Sequence, residues 1–220
     1  MADQLTLAFD TSAAHCAAAL LLGDTILASR VEEMQKGQAE RLMPLLEEVL
    51  AEAGRTWRDL DRIGVGIGPG NFTGIRISVS AARGLALSLG IPAIGVSALE
   101  AMAFTPAQQG QTLAVLDARQ GNLYAQTFAK DGQALDAPAL CASDDIPADA
   151  PRGTLQVVGH EAPTLAARLG AQAVITSGGD IVEAIARIAA NREADGIRPA
   201  PLYLRPADAA PPKDPAPVIL

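Results

Sequence analysis

Residues 62–89 read R-I-G-V-G-I-G-P-G-N-F-T-G-I-R-I-S-V-S-A-A-R-G-L-A-L-S-L, and the change of period within this stretch decides the fold. Ile63, Val65 and Ile67 alternate with Gly64 and Gly66, as in a short buried strand. Gly68-Pro69-Gly70 breaks it. From about Thr73 to Leu89 the period is helical, with Asn71 or Thr73 placed to cap the first free N–H groups. Only Arg76 and Arg83 carry charge on this helix. One row at i+4 spacing is Gly74, Ser78, Ala82, Ala86; others are Ile77, Ala81, Leu85, Leu89 and Ile75, Val79, Arg83, Leu87. A surface helix has one apolar stripe and a charged face, so a helix apolar or small nearly all round is covered on several sides. A small-residue row also lets another helix approach closely. Three readings stand: a central helix wrapped by its own chain, a helix lending a face to a partner, or a Gly-rich turn holding phosphate at a helix N-terminus. It is not a Walker loop, since no Gly-Lys-Ser/Thr ends it and no Lys lies nearby.

Upstream, Leu5–Phe9 reads as a buried strand ending at Asp10-Thr11-Ser12, followed by strands over 16–22 and 25–31 around the Gly23-Asp24 turn. Residues 38–53 form an amphipathic helix with Leu42, Leu45, Leu46, Val49, Leu50 and Ala53 on its stripe and Gly54 as its stop. Pro44 sits near its first turn or kinks it. Residues 56–60 make a short helical turn capped by Thr56. Downstream come a strand over 91–96 and a short helix capped by Ser97. The polar stretch T-P-A-Q-Q-G-Q at 105–111 marks a lobe boundary.

Thr112–Asp117 (T-L-A-V-L-D) then echoes Leu5–Asp10 (L-T-L-A-F-D). Each aspartate ends a strand and precedes a hairpin whose turn holds Gly and Asp, Gly23-Asp24 or Asp131-Gly132. The offset is nearly constant, about 107 positions at the aspartate and about 108 at the turn, as one duplicated unit gives. The second half is expected to be smaller and loop-rich. It has a Pro/Asp-rich loop over 144–153, short strands at 155–158 and 173–176, and helices over 162–169 and 179–191. Ile181, Val182, Ile185 and Ile188 point inward on the last helix. The expected division is a first lobe of residues 1–104 closed by 196–205, a second of 105–195, and a flexible tail over 206–220, too poor in apolar side chains to fold.

The chain has 220 residues, 49% of them hydrophobic, and a formal net charge of −8, which suits packed α/β layers rather than disorder. A protein that grips a phosphate backbone unaided presents a basic surface; here the three lysines, Lys36, Lys130 and Lys213, are scattered. Cys16 and Cys141 form no C-x-x-C and read as a reduced pair. The N-terminus enters a strand directly, and no apolar run is long enough to span a membrane, so a cytoplasmic protein is expected.

The segment G-I-G-P-G-N-F-T-G-I-R-I resembles the signature of the bacterial tRNA threonylcarbamoyladenosine biosynthesis protein B family, TsaB (YeaZ). L-A-F-D-T-S at 7–12, D-A-R-Q-G-N-L-Y at 117–124 and P-L-Y-L-R at 201–205 resemble the same family in the same order. The resemblance implies an α/β fold of actin-like (ASKHA) type, two lobes with duplicated β-hairpin sheet cores. It further implies a non-catalytic subunit that dimerises with a TsaD-like enzyme modifying adenosine 37 of tRNA. A TsaE-like P-loop ATPase completes the assembly, tRNA is met only through the complex, and the isolated chain is either a homodimer or a monomer. On this reading the partner interface uses Gln38, Leu42, Leu45, Leu46 and Val49 of one helix, with Gly74, Ile75, Ser78, Val79, Ala82 and Ala86 of the other. Asp10, Thr11, Ser12, Gly68, Gly70 and Asn71 would form a vestigial or shared phosphate site, with no cofactor on the isolated chain and ATP or ADP only in the complex. The enzymatic sister subunits hold metal with His-x-x-x-His where this chain has Gln38 and Leu42, so no metal site is expected.

No complete catalytic constellation is legible. His15 and His160 belong to no H-E-x-x-H or i,i+4 pair. His15 and Cys16 are neighbours on a strand and face opposite sides. Ser97 and Ser177 have no base nearby in sequence. Asp117 and Arg119 make a functional charge pair or a hairpin lock, and the 201–205 segment returns the chain to the first lobe with Tyr203 packed and Arg205 paired. The alternative from another class is an actin-like ATPase or phosphotransferase using Asp10, Asp117 and the Gly68–Asn71 turn.

Overall fold

A computed structural model describes residues 3–104, 110–146 and 155–205. The expected boundary at 105–111 lies largely outside them, as do most of the 144–153 loop and the 206–220 tail. Two five-stranded mixed sheets form the frame. The first contains β1 (Leu5–Asp10), β2 (His15–Leu22), β3 (Thr25–Glu33), β4 (Arg62–Gly66) and β5 (Ala93–Val96), in the order β3-β2-β1-β4-β5. The second contains β6 (Thr112–Asp117), β7 (Asn122–Phe128), β8 (Ala139–Ala142), β9 (Gln156–Gly159) and β10 (Gln172–Val174), in the order β10-β9-β6-β7-β8. In each, the first three strands are antiparallel, the fourth pairs with the first in parallel, and the fifth pairs with the fourth in parallel. The duplication read from Leu5–Asp10 and Thr112–Asp117 is therefore a duplication of whole sheets.

Alternation along the strands sorts the helices into layers. Leu5, Leu7 and Phe9 of β1 face α1 (Gln38–Glu52) and α2 (Phe72–Leu89), while Ala8 faces α5 (Gly178–Asn191). The α5 side of the sheet is floored by small residues, Ala8, Ala17, Ala19 and Gly64. A Cβ on Gly64 would lie 2.8 Å from the Ala189 Cβ, so glycine is what allows α5 to seat this close. The α3 helix (Ala98–Ala103) is shared: Ala101 faces the first sheet, whereas Leu99, Met102 and Ala103 pack on Ala114, Tyr124 and Val158 of the second. On the second sheet's outer side, α4 (Ala162–Leu169) buries Leu165 and Leu169 over β9 and β10. The layers run α1/α2, sheet, α5/α3, sheet, α4.

Two expectations change. Residues 179–191, assigned by sequence to the second lobe, lay their stripe of Val182, Ile185, Ile188 and Ala189 on the first sheet, whose floor of small side chains matches that stripe. The Arg62 guanidinium fastens the join by donating to the Ala189 and Arg192 carbonyls at the end of α5. The 196–205 segment does reach the first lobe, where the Leu202 N–H donates to the Ile67 carbonyl, but it continues to the second. There Leu204 packs, and Arg205 donates to Ala118 O and Gln120 Oε1.

The lobes differ most between the third and fourth strands. In the first, α1 stands there, held to β3 by an exposed ion-pair lattice in which Arg41 engages Glu32 and Glu48, and Arg30 engages Glu48 and Glu52. In the second, no α-helix stands there among the described residues, which include a short 3-10 turn at Ser143–Asp145. Among the described residues, no helix is long and apolar enough to cross a membrane.

Candidate functional site: the Asp10 loop and the helix pair

The Gly-rich turn and the Asp-Thr-Ser loop meet at the N-terminus of α2. The sequence signature brings Asp10, Thr11, Ser12, Gly68, Gly70 and Asn71 together, and the glycines explain how. A Cβ on Gly70 would lie 2.3 Å from the Ser12 carbonyl oxygen, and one on Gly74 would lie 1.9 Å from that of Thr11. Any side chain at either position would push the two segments apart. Close approach is then used for hydrogen bonding. The Asn71 N–H donates to Ser12 O at 2.7 Å, and the Thr11 hydroxyl donates to Gly74 O at 2.7 Å. Asn71 Oδ1 accepts from the Gly74 N–H at 3.0 Å, which makes Asn71, not Thr73, the N-cap.

Asp10 is 3% exposed and fully engaged by its own loop. Its Oδ1 accepts from Ser12 N–H at 3.2 Å; its Oδ2 accepts from Ser12 Oγ at 3.0 Å and from His15 Nε2 at 2.8 Å. A Cβ on Gly66 would stand 2.0 Å from Asp10 Oδ1, so β4 closes the other side. Burial pulls the His15 imidazole down, but the Asp10 hydrogen bond and charge, with Glu33, outweigh it and hold His15 above its ordinary 6.5. His15 is the site residue that sequence reading missed as a partner of Asp10. Its position five residues after Asp10, at the far end of the short loop joining β1 to β2, was the available signal. Cys16, its neighbour, points into the α1 side of the core, where burial pushes its thiol up to about 11. That leaves it the wrong protonation state for a nucleophile.

As a set, these groups support packing. A phosphate at this helix end would compete with the Ser12 carbonyl for Asn71 N–H, and a metal at Asp10 would compete with His15. Asp117 is not sealed in the same way: it is exposed at the end of β6, where its Oδ1 accepts the Arg119 N–H. Its link to Arg119 is thus a hairpin lock through the backbone. Ser97 and Ser177 are N-caps of α3 and α5, the latter in a capping box with Asp180.

The helix pair requires a correction at residue level. Leu42, Leu45, Leu46 and Val49 are 0–1% exposed and Gln38 is 8% exposed. The leucines and Val49 pack on the first sheet, and Gln38 Nε2 donates to Met34 O. Gly74, Ile75, Ser78, Val79 and Ala82 are buried too, with the Ser78 hydroxyl bonded to Gly66 O, and Ala86 is half-buried. Side chains spent on the chain's own sheet have no surface for a partner. The outer face of the pair is carried by other residues: Ala39, Met43, Pro44 and Glu47 on α1, and Phe72, Arg76, Ser80, Gly84 and Leu87 on α2. Leu87 is 80% exposed. At the α2 N-terminus the Arg76 guanidinium lies 3.8 Å over the Phe72 ring and donates to the Tyr203 hydroxyl, and the two rings stand 4.8 Å apart. Tyr203, expected to be packed, is 42% exposed and is held only along one side by Phe72 and Arg76.

Comparison with known proteins agrees with this architecture. Residues 25–150 match the family model described as TsaD, tRNA N6-adenosine threonylcarbamoyltransferase. The tRNA threonylcarbamoyladenosine biosynthesis protein TsaB of Escherichia coli is 35% identical over 57% of this chain and 55% of its own length, so the chain matches about half of that relative. YeaZ from Pseudomonas aeruginosa superposes with a TM-score of 0.74 at 27% identity, covering 91% of this chain and all of that one. The (R)-2-hydroxyglutaryl-CoA dehydratase component A of Acidaminococcus fermentans shares only the actin-like fold, with a TM-score of 0.55 at 11% identity over 85% of this chain. With the signature turn, the duplicated sheets and these matches together, the chain belongs to the TsaB (YeaZ) family.

Proposed function

We propose that the protein serves the biosynthesis of threonylcarbamoyladenosine in tRNA as a non-catalytic subunit. It pairs with a TsaD-like catalytic subunit through the outer face of α1 and α2, and a TsaE-like ATPase joins the assembly. The observation that carries this reading is the state of the Asp10 loop. The carboxylate and helix end that an actin-like phosphotransferase would turn toward nucleotide are bonded here to Ser12 and His15. The outer face of α2, by contrast, is small or apolar over Ser80, Gly84 and Leu87, the kind of surface against which helices pack closely. Nucleotide then belongs to the assembled complex rather than to the isolated chain.

A reconstituted modification assay with TsaD-like and TsaE-like subunits tests the role. Omitting this chain is expected to abolish modification, and restoring it to recover activity without any change in the chain itself. Modification at full rate in its absence would overturn the reading.

A further inference from the structure

The duplication has an unequal consequence for the two sheets. In the first, α1 lies between β3 and β4 in sequence and covers β2 and β3 on the outer side. In the second, the corresponding strands are β7 and β8, and among the described residues no helix covers their outer face, because α4 lies over β9 and β10. A groove of about 490 Å³ opens there. Its apolar lining includes Leu113, Ala125, Leu135, Ala139, Cys141 and Leu155. Leu135 is 49% exposed. The connection over 143–155 contributes Ile146 and Leu155 to this lining, and its remaining stretch P-A-D-A-P-R-G-T contains no bulky apolar side chain to fill it.

The groove also has a charge. Asp136 and Asp145 line it, and among the described residues no Lys, Arg or His does. Asp136 Oδ1 accepts the Thr127 N–H, which fixes its carboxylate at the rim. We infer that the outer face of β7 and β8 is a docking groove for an amphipathic helix of a partner protein, with aliphatic side chains on one face and lysines or arginines flanking them. Two observations choose this occupant: the duplicate lobe shows that a helix is the element fitting this face of this sheet, and the rim carboxylates select a basic one. The groove lies on the far side of the second sheet from α3 and α5, so it leaves the α1/α2 face free for a different partner at the same time.

The test uses the full chain, methyl-labelled for NMR, with a synthetic Leu/Lys amphipathic peptide of about four helical turns as the probe. Saturable shifts are expected at the methyls of Leu113, Ala125, Leu135 and Ala139. A Leu/Glu peptide of the same apolar pattern should bind at least about tenfold more weakly, because like charges would meet at the rim. Ala139→Arg, on an exposed position of the edge strand, should abolish the shifts while leaving the rest of the spectrum in place; Leu135→Asp is a second variant should the first perturb folding. Equal affinity for both peptides, shifts centred on α2, or binding unchanged in both variants would overturn the inference. So would a variant lacking 206–220 whose groove methyls move in the absence of peptide, since the chain's own Val218-Ile219-Leu220 would then be the occupant.

Discussion

Gly74 and Gly84 stand ten residues apart on the same helix and make opposite demands on a side chain. A Cβ at Gly74 would collide with the Thr11 carbonyl, whereas at Gly84 nothing lies within 4 Å of it. Gly74→Ala should destabilise the protein by about 3 kcal/mol, the scale of forced overpacking, and Gly84→Ala should stabilise it by about 0.5–1 kcal/mol through helix propensity. Urea denaturation of the two variants distinguishes them, and equal effects would contradict the packing described for the signature turn. His15 gives a second prediction at this scale. Its folded-state pKa is raised above the ordinary 6.5 mainly by Asp10, so its contribution is fully present below 6.5 and is lost as pH rises through the higher folded value. Stability measured from pH 6 upward should therefore decline in the wild type, and His15→Gln should remove that component of the slope. An unchanged slope in the variant would show that His15 does not couple to Asp10.

The α2 helix was legible in the sequence because its period changes sharply after Gly70, and because Asn71 is a good cap placed just ahead of an uninterrupted helical run. Which of its faces lies outward was not legible. A row such as Gly74, Ser78 and Ala82 suits a partner helix and suits the underside of a sheet for the same reason, small volume, and only the position of β4 and the Asp10 loop decides between them. The same ambiguity placed Leu42, Leu45 and Leu46 of α1 on an interface when they are the core. Helix α5 was read correctly as amphipathic and assigned to the wrong sheet, since periodicity reports that a face is buried and not by what. The matching signal was in the small residues Ala8, Ala17, Ala19 and Gly64, which leave room for it. This distinction yields a paired prediction for α2. Ala82→Glu buries a carboxylate at a position with no exposed surface and should prevent stable folding, seen as loss of a cooperative thermal transition. Gly84→Glu should leave that transition in place.

At the scale of the molecule, Leu5–Asp10 and Thr112–Asp117 announced the duplication, and their sheets share one strand order. The second sheet's β8 escaped sequence reading because Ala139–Ala142 is a short edge strand with no clean alternation of bulky side chains. His15 escaped as a site residue because its partner is fixed by a short loop, which hydrophobic period does not report. The net charge of −8, with no basic cluster, bears on tRNA directly, because affinity for a phosphate backbone comes largely from cations that release its counterions. Gel shift at physiological salt should show no binding of tRNA by this chain alone; salt-sensitive binding would mean that its surface had been misjudged. The isolated chain should likewise give no heat with ATP and magnesium in titration calorimetry, while the mixture with its partners does. Whether the outer face of the helix pair is the docking face is read by calorimetric titration of the TsaD-like subunit with wild-type chain and with Gly84→Glu, both first shown to melt alike. A defined complex is expected for the wild type and affinity at least about tenfold weaker for the variant, the cost of burying an unpaired charge at a packed interface. Equal affinity of the two proteins would contradict that assignment.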